Sequence, residues 1–108
     1  MRRVAVTGMG LVTPLGIGLE EVWGRLLAGE SGIRAIQSFD VSDLPSRVAG
    51  QVPRGDRASG LFNADDWVPP KDHRRMDEFI IFAIAAAVQA VEDAGWEPNS
   101  DEEREAPA

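Results

Sequence analysis

The chain of 108 residues contains no cysteine and one histidine, His73. Without cysteine, these residues by themselves hold no disulfide, no thiolate metal site and no thiol nucleophile. Long apolar runs are lacking too. The longest, Phe79 to Val88, is ten residues, where a membrane span needs about 20. The apolar stretch near the N-terminus, Val4 to Val6, is too short for the hydrophobic region of a signal peptide. Positive charge is in short supply, with 11 basic against 18 acidic residues and a net charge of −7. An acidic chain is a poor general binder of nucleic acid. No G-K-[ST] triplet occurs, which excludes a Walker-type phosphate loop. The expectation from these absences is a soluble, cytoplasmic protein that binds neither nucleic acid nor membrane.

What is present fits one domain of ordinary hydrophobic content, 44%. "RVAVT", Arg3 to Thr7, reads as a short strand with both faces covered. From Gly18 the pattern turns helical, with Leu19, Val22, Trp23, Leu26 and Leu27 at i, i+3, i+4, i+7 and i+8 and Gly29 as a C-terminal stop. Residues 31–70 are rich in glycine and proline. They carry apolar anchors at Phe39, Leu44, Leu61, Phe62 and Trp67, and so read as an ordered connection. Within it "SRVAGQV", Ser46 to Val52, is a candidate second strand. Pro69 and Pro70 suit a helix start, and the helix of the region runs from about Asp77 to Ala94, ended by Gly95. Its apolar stretch faces every side, so it should be enclosed by neighbours. Trp23 and Trp96 are expected to anchor helices, and Trp67 the connection. The last residues, "EPNSDEEREAPA", have no apolar anchor and read as a solvated acidic tail or loop over 99–108.

The stretch "TGMGLVTPLG" invites comparison with the dinucleotide fingerprint G-x-G-x-x-G. Gly8 and Gly10 supply the first pair, but Thr13 stands where the third glycine is needed. The following helix starts only near Gly18, so no helix dipole points at a pyrophosphate there. The alternative is structural: Gly8 and Gly10 let the chain leave its strand in a close-packed bend, using glycine's freedom at positive φ. The carboxylates Asp65, Asp66, Asp72, Asp77 and Glu78 lack the alternating spacing of a calcium loop. No cofactor or metal site is expected.

Three blocks in order, "RRVAVTGMGLVTPLGIGLEEVWGRLLAGESGI", "SFDVSDLPSRVAGQV" and "KDHRRMDEFIIFAIAAAVQAVEDAGW", resemble the N-terminal portion of a β-ketoacyl-[acyl-carrier-protein] synthase, most closely synthase II. The resemblance implies an α/β fold, here an N-terminal fragment of a thiolase-like condensing enzyme with an incomplete sheet. On it, residues 1–98 belong to the synthase N-terminal domain. It further implies a homodimeric enzyme that condenses malonyl- and acyl-carrier protein in fatty-acid elongation, using a cysteine and two histidines. Those lie beyond residue 108 in the family, and His73 matches neither histidine. No catalytic residue is therefore carried over, and the chain alone is expected to be inactive.

The resemblance also places Lys71, Arg74 and Arg75 in a basic cluster that faces the acyl carrier protein in related synthases. Independently, five residues of an acidic chain hold three cations against one Asp72. An α-helix would set Lys71, Arg74 and Arg75 on one face at i, i+3 and i+4. Such a patch suits an acidic partner by steering encounter. The competing reading is ordinary surface ion pairing with Asp72, Asp77 or Glu78. A reading from another class, a stand-alone binding or dimerisation module that keeps only this patch, also remains.

Overall fold

The computed structural model describes residues 1–97; the expected acidic tail, 99–108, lies outside them. Helix α1 spans Leu19–Leu27, with Glu20 and Glu21 in its first turn and Arg25 in its last, each matched to the helix dipole. The helix closes with Ala28 N–H returning to the Gly24 carbonyl, and Gly29 follows at a φ of 77°. Helix α2 spans Glu78–Ala94 and stops at Gly95, whose φ of 65° is the left-handed conformation that ends helices at little cost. Both helices fall where the periodicity and the glycines put them.

The strands form two small antiparallel pairs rather than one sheet, one before α1 and one between the helices. β1 (Val12–Thr13) pairs with β2 (Gly16–Ile17) across a tight turn. The Thr13 hydroxyl fixes that turn by donating to the Gly16 carbonyl and accepting from Leu15 N–H. β3 (Ile33–Ala35) pairs with β4 (Val48–Gly50), Arg34 opposite Ala49. β4 is the second strand expected within Ser46 to Val52; β3 was not anticipated. Three 3-10 segments, Arg57–Ser59, Ala64–Asp66 and Pro70–Arg75, then lead into α2.

The core gathers Ile17 from β2, Phe62 and Val68 from the connection, and Ile81 and Ala85 from α2. Phe62 meets Phe82 edge-on, ring centroids 5.0 Å apart, a geometry favoured by the ring quadrupoles. Trp67 packs against this cluster as expected of an anchor, with the Arg57 guanidinium 4.1 Å above its ring.

Two expectations are corrected. Arg3 to Thr7 is not a covered strand: Val4 is 83% and Val6 78% exposed, and among the described residues no backbone hydrogen bond reaches the segment. A strand exists only as part of a ladder, and no described segment runs alongside to supply one. Gly8 and Gly10 do not adopt positive φ. Their need is for space, since a Cβ on Gly8 would lie 2.5 Å from Ala94 N and one on Gly10 2.7 Å from Gln89 Cβ. Much apolar surface stays open as well. Trp23, Leu26 and Leu27 on α1, Phe79, Val88 and Val91 on α2, and Trp96 beyond it are exposed. Among the described residues nothing encloses α2 on all sides, and Trp23 and Trp96 lie outside the buried core cluster.

Candidate functional site

The basic segment is held by the run from Asn63 to Met76. The Asn63 side chain accepts from Asp65 N–H and starts the turn Ala64–Asp66. Trp67 and Val68 N–H both return to the Ala64 carbonyl, which folds Val68 into the core. Pro69 is extended, and Pro70 opens the 3-10 helix Pro70–Arg75, where its missing N–H costs nothing. Asp72 N–H donates to the Pro69 carbonyl at 2.9 Å, and Met76 N–H to the His73 carbonyl at 3.3 Å.

The 3-10 form changes the expected face. At three residues per turn, positions three apart eclipse one another, so Lys71 and Arg74 form one row and Asp72 and Arg75 the next. Pro70, His73 and Met76 make the third. The three cations do not share one face, as an α-helix would have arranged. All three are exposed, whereas Asp72 and His73 are half-buried. Among the described residues none of the three makes an ion pair; Glu78, one of the expected partners, is bound instead to Arg54.

His73 is turned inward. Its Nε2 lies 2.8 Å from the Val68 carbonyl, which requires the proton on Nε2, and 3.7 Å from Asp65 Oδ1. Asp65 and His73 thus meet across the two prolines; Asp66 and Asp77 make no ion pair among the described residues.

Two arginines outside the basic cluster help to organise the fold. Arg25 donates to the Ser59 carbonyl at 2.7 Å and to the Leu15 carbonyl at 2.5 Å, while pairing with Glu21 one turn back on α1. Arg54 lies over both Phe62 and Phe82, at 5.0 and 5.4 Å, and partial burial lowers its pKa from the usual arginine value. Its position near the cavity of about 520 Å³ between the β3–β4 pair and α2, with Arg34, Gln51, Glu78 and Phe82, gives that cavity a mixed lining. No local motif marks these roles, because the partners are remote in sequence. Chemically the described residues offer cations to an anionic partner and no thiol.

A sequence model described as "Beta-ketoacyl synthase, N-terminal domain" matches residues 1–106. The chain belongs to the β-ketoacyl synthase family. Within that family it is 52% identical over 104 residues to a 3-oxoacyl-[acyl-carrier-protein] synthase 2 of Rhizobium meliloti, covering 96% of this chain and 25% of the relative. It is 45% identical over 100 residues to the protein of the same name in Vibrio cholerae, covering 93% and 22%. Among solved structures it is similar to the ishigamide ketosynthase/chain length factor, with a TM-score of 0.68 and 36% identity over 85% of this chain and 21% of that one. The fold is therefore that of the ketosynthases, of which these residues form the N-terminal part. The chain spans about a quarter of the length of the curated relatives it matches. Among the described residues no helix is long and apolar enough to cross a membrane.

Proposed function

We propose that these residues serve a 3-oxoacyl-[acyl-carrier-protein] synthase that extends fatty acyl chains, and that their share of the work is structural support and carrier docking. The observation that carries this reading is similarity over nearly the whole chain to proteins named for that activity, joined to a composition without the required thiol. In the reaction, an acyl group passes from its carrier thioester to a cysteine thiolate. Malonyl-carrier protein then loses CO₂, and the resulting enolate attacks the acyl-enzyme carbonyl and expels the thiolate. The cysteine and the two histidines that stabilise developing negative charge would come from residues outside this chain. The complete enzyme is read as a cytoplasmic homodimer with the acyl carrier protein as its partner.

Lys71, Arg74 and Arg75 are proposed to meet that carrier. Their exposure and their lack of ion-pair partners among the described residues favour this over surface pairing. Charges at such a rim act mainly on encounter rate and orientation. The open apolar faces of α1 and α2 weigh against the stand-alone module, because exposed patches of this kind call for a covering surface.

Two experiments test the reading. The purified 108-residue chain, incubated with malonyl- and acyl-carrier protein, should yield no 3-oxoacyl product, and any condensation would overturn the division of labour. In the complete enzyme, joint Arg74→Glu and Arg75→Glu substitution should raise KM for acyl-carrier protein and flatten its salt dependence. Unchanged kinetics would remove the docking role.

A further inference from the structure

We infer that His73 is a positioning residue for carrier docking, holding the 3-10 helix so that Lys71, Arg74 and Arg75 stand outward in fixed rows. The inference rests on the docking role proposed above and adds the device that sets the cluster's geometry.

A six-residue 3-10 helix needs outside support, since its hydrogen bonds are poorly aligned and runs beyond three or four residues are uncommon. Two attachments supply it here, and both lie on the row Pro70, His73, Met76. At the far end Met76 packs against the core cluster. At the near end, His73 Nε2 donates to the Val68 carbonyl at 2.8 Å. Val68 is itself buried in the core, and its carbonyl receives no backbone N–H in the described turns. Pro69 and Pro70, which follow it, have no N–H to give. The imidazole is thus the donor that this carbonyl has among the described residues, and a carbonyl beside the core left unpaired would favour another backbone arrangement.

The consequence falls on the other two rows. With His73 drawn inward, Lys71 and Arg74 are directed to solvent about 6 Å apart along the axis, at roughly 2 Å of rise per residue. A cluster fixed in this way gives an acidic partner a preset pattern of charge, with less side-chain and backbone ordering left for the moment of binding. His73 touches neither substrate nor partner in this account; it acts through its neighbours.

The test uses the complete enzyme with two acyl donors, acyl-carrier protein and the same acyl group on free pantetheine. His73→Ala should raise KM for acyl-carrier protein by about threefold to tenfold, the scale of an encounter-rate effect. Its kcat, and KM for the pantetheine thioester, should stay unchanged. His73→Gln retains an N–H donor of similar reach and should restore KM to near the parent value. A rise in KM for both donors, or a Gln variant indistinguishable from Ala, overturns the inference, because general loosening of the fold would act on both. The Arg74→Glu, Arg75→Glu enzyme runs beside them. If it shows raised KM while both His73 variants match the parent, the positioning role fails alone. If it too matches the parent, docking at this cluster fails and the positioning role with it.

Discussion

The side-chain amide of Gln89 pairs reciprocally with the backbone of Leu11. Leu11 N–H donates to Oε1 at 3.3 Å, and Nε2 donates to the Leu11 carbonyl at 3.1 Å. One turn further along α2, Asp93 accepts from Met9 N–H at 3.0 Å. The glycine-containing segment is therefore laid along α2 by side chains that imitate a neighbouring strand.

Replacing Gln89 by Ala removes both bonds and should destabilise the protein by about 1 kcal/mol, as expected for partly buried polar groups that lose their partners. Gln89→Glu keeps the acceptor and loses the donor. Hydrogen exchange read at Leu11 N–H should accelerate in the Ala variant and stay slow in the Glu variant, although both lower the thermal midpoint.

Glycine substitutions should have opposite signs at two sites. Gly10→Ala would place a Cβ against the Ala86 carbonyl and the Gln89 side chain, and overpacking of that kind costs about 1–3 kcal/mol. Gly24, within α1, has nothing within 4 Å of a new Cβ. Gly24→Ala should stabilise by roughly 0.5–1 kcal/mol, the usual advantage of Ala over Gly inside a helix. Urea unfolding of the two variants side by side checks the contrast.

Arg54→Lys keeps the charge that faces Glu78 but loses the planar group stacked over Phe62 and Phe82. The expected loss is about 0.5–1 kcal/mol, the scale of an exposed cation–π contact. It should persist in high salt, where the Glu78 attraction is screened. A loss that vanished in salt would assign the effect to the ion pair.

Asp40 accepts from Ser42 N–H at 3.0 Å, and that hydrogen bond holds its carboxyl below the usual carboxylate value. A lowered pKa in the folded state means a contribution present above the unfolded value and lost as pH falls through the folded one. The Asp40 carboxyl resonance should titrate below that of a model peptide. Ser42→Pro, which removes the N–H, should return it to the ordinary range.

Local periodicity sufficed for α1 and α2 because each is fixed by its own apolar spacing and a terminal glycine. It sufficed for β4 and for the packing role of Gly8 and Gly10, but not for what they pack against. It misled at Arg3 to Thr7, where β-branched residues express a preference that only a neighbouring strand can satisfy. β3 is three residues long and follows Gly32, too short for alternation to register. The cluster at Lys71, Arg74 and Arg75 was visible as composition. Its two rows were not, since neither the charge spacing nor the two prolines distinguish a 3-10 helix from an α-helix. Gln89, Asp93 and Arg25 look like solvated helix residues until carbonyls and amides from distant segments reach them.

The contact between Met9 and Asp93 spans 84 residues, and that between Leu11 and Gln89 spans 78. Closing a loop of that length costs about 4 kcal/mol in chain entropy by the logarithmic rule. At ordinary rates of synthesis the first segment waits on the order of ten seconds for its partner helix to be made. Through that interval Met9 and Leu11 lack the side chains that hold them, so the segment takes its place only after α2 has been made.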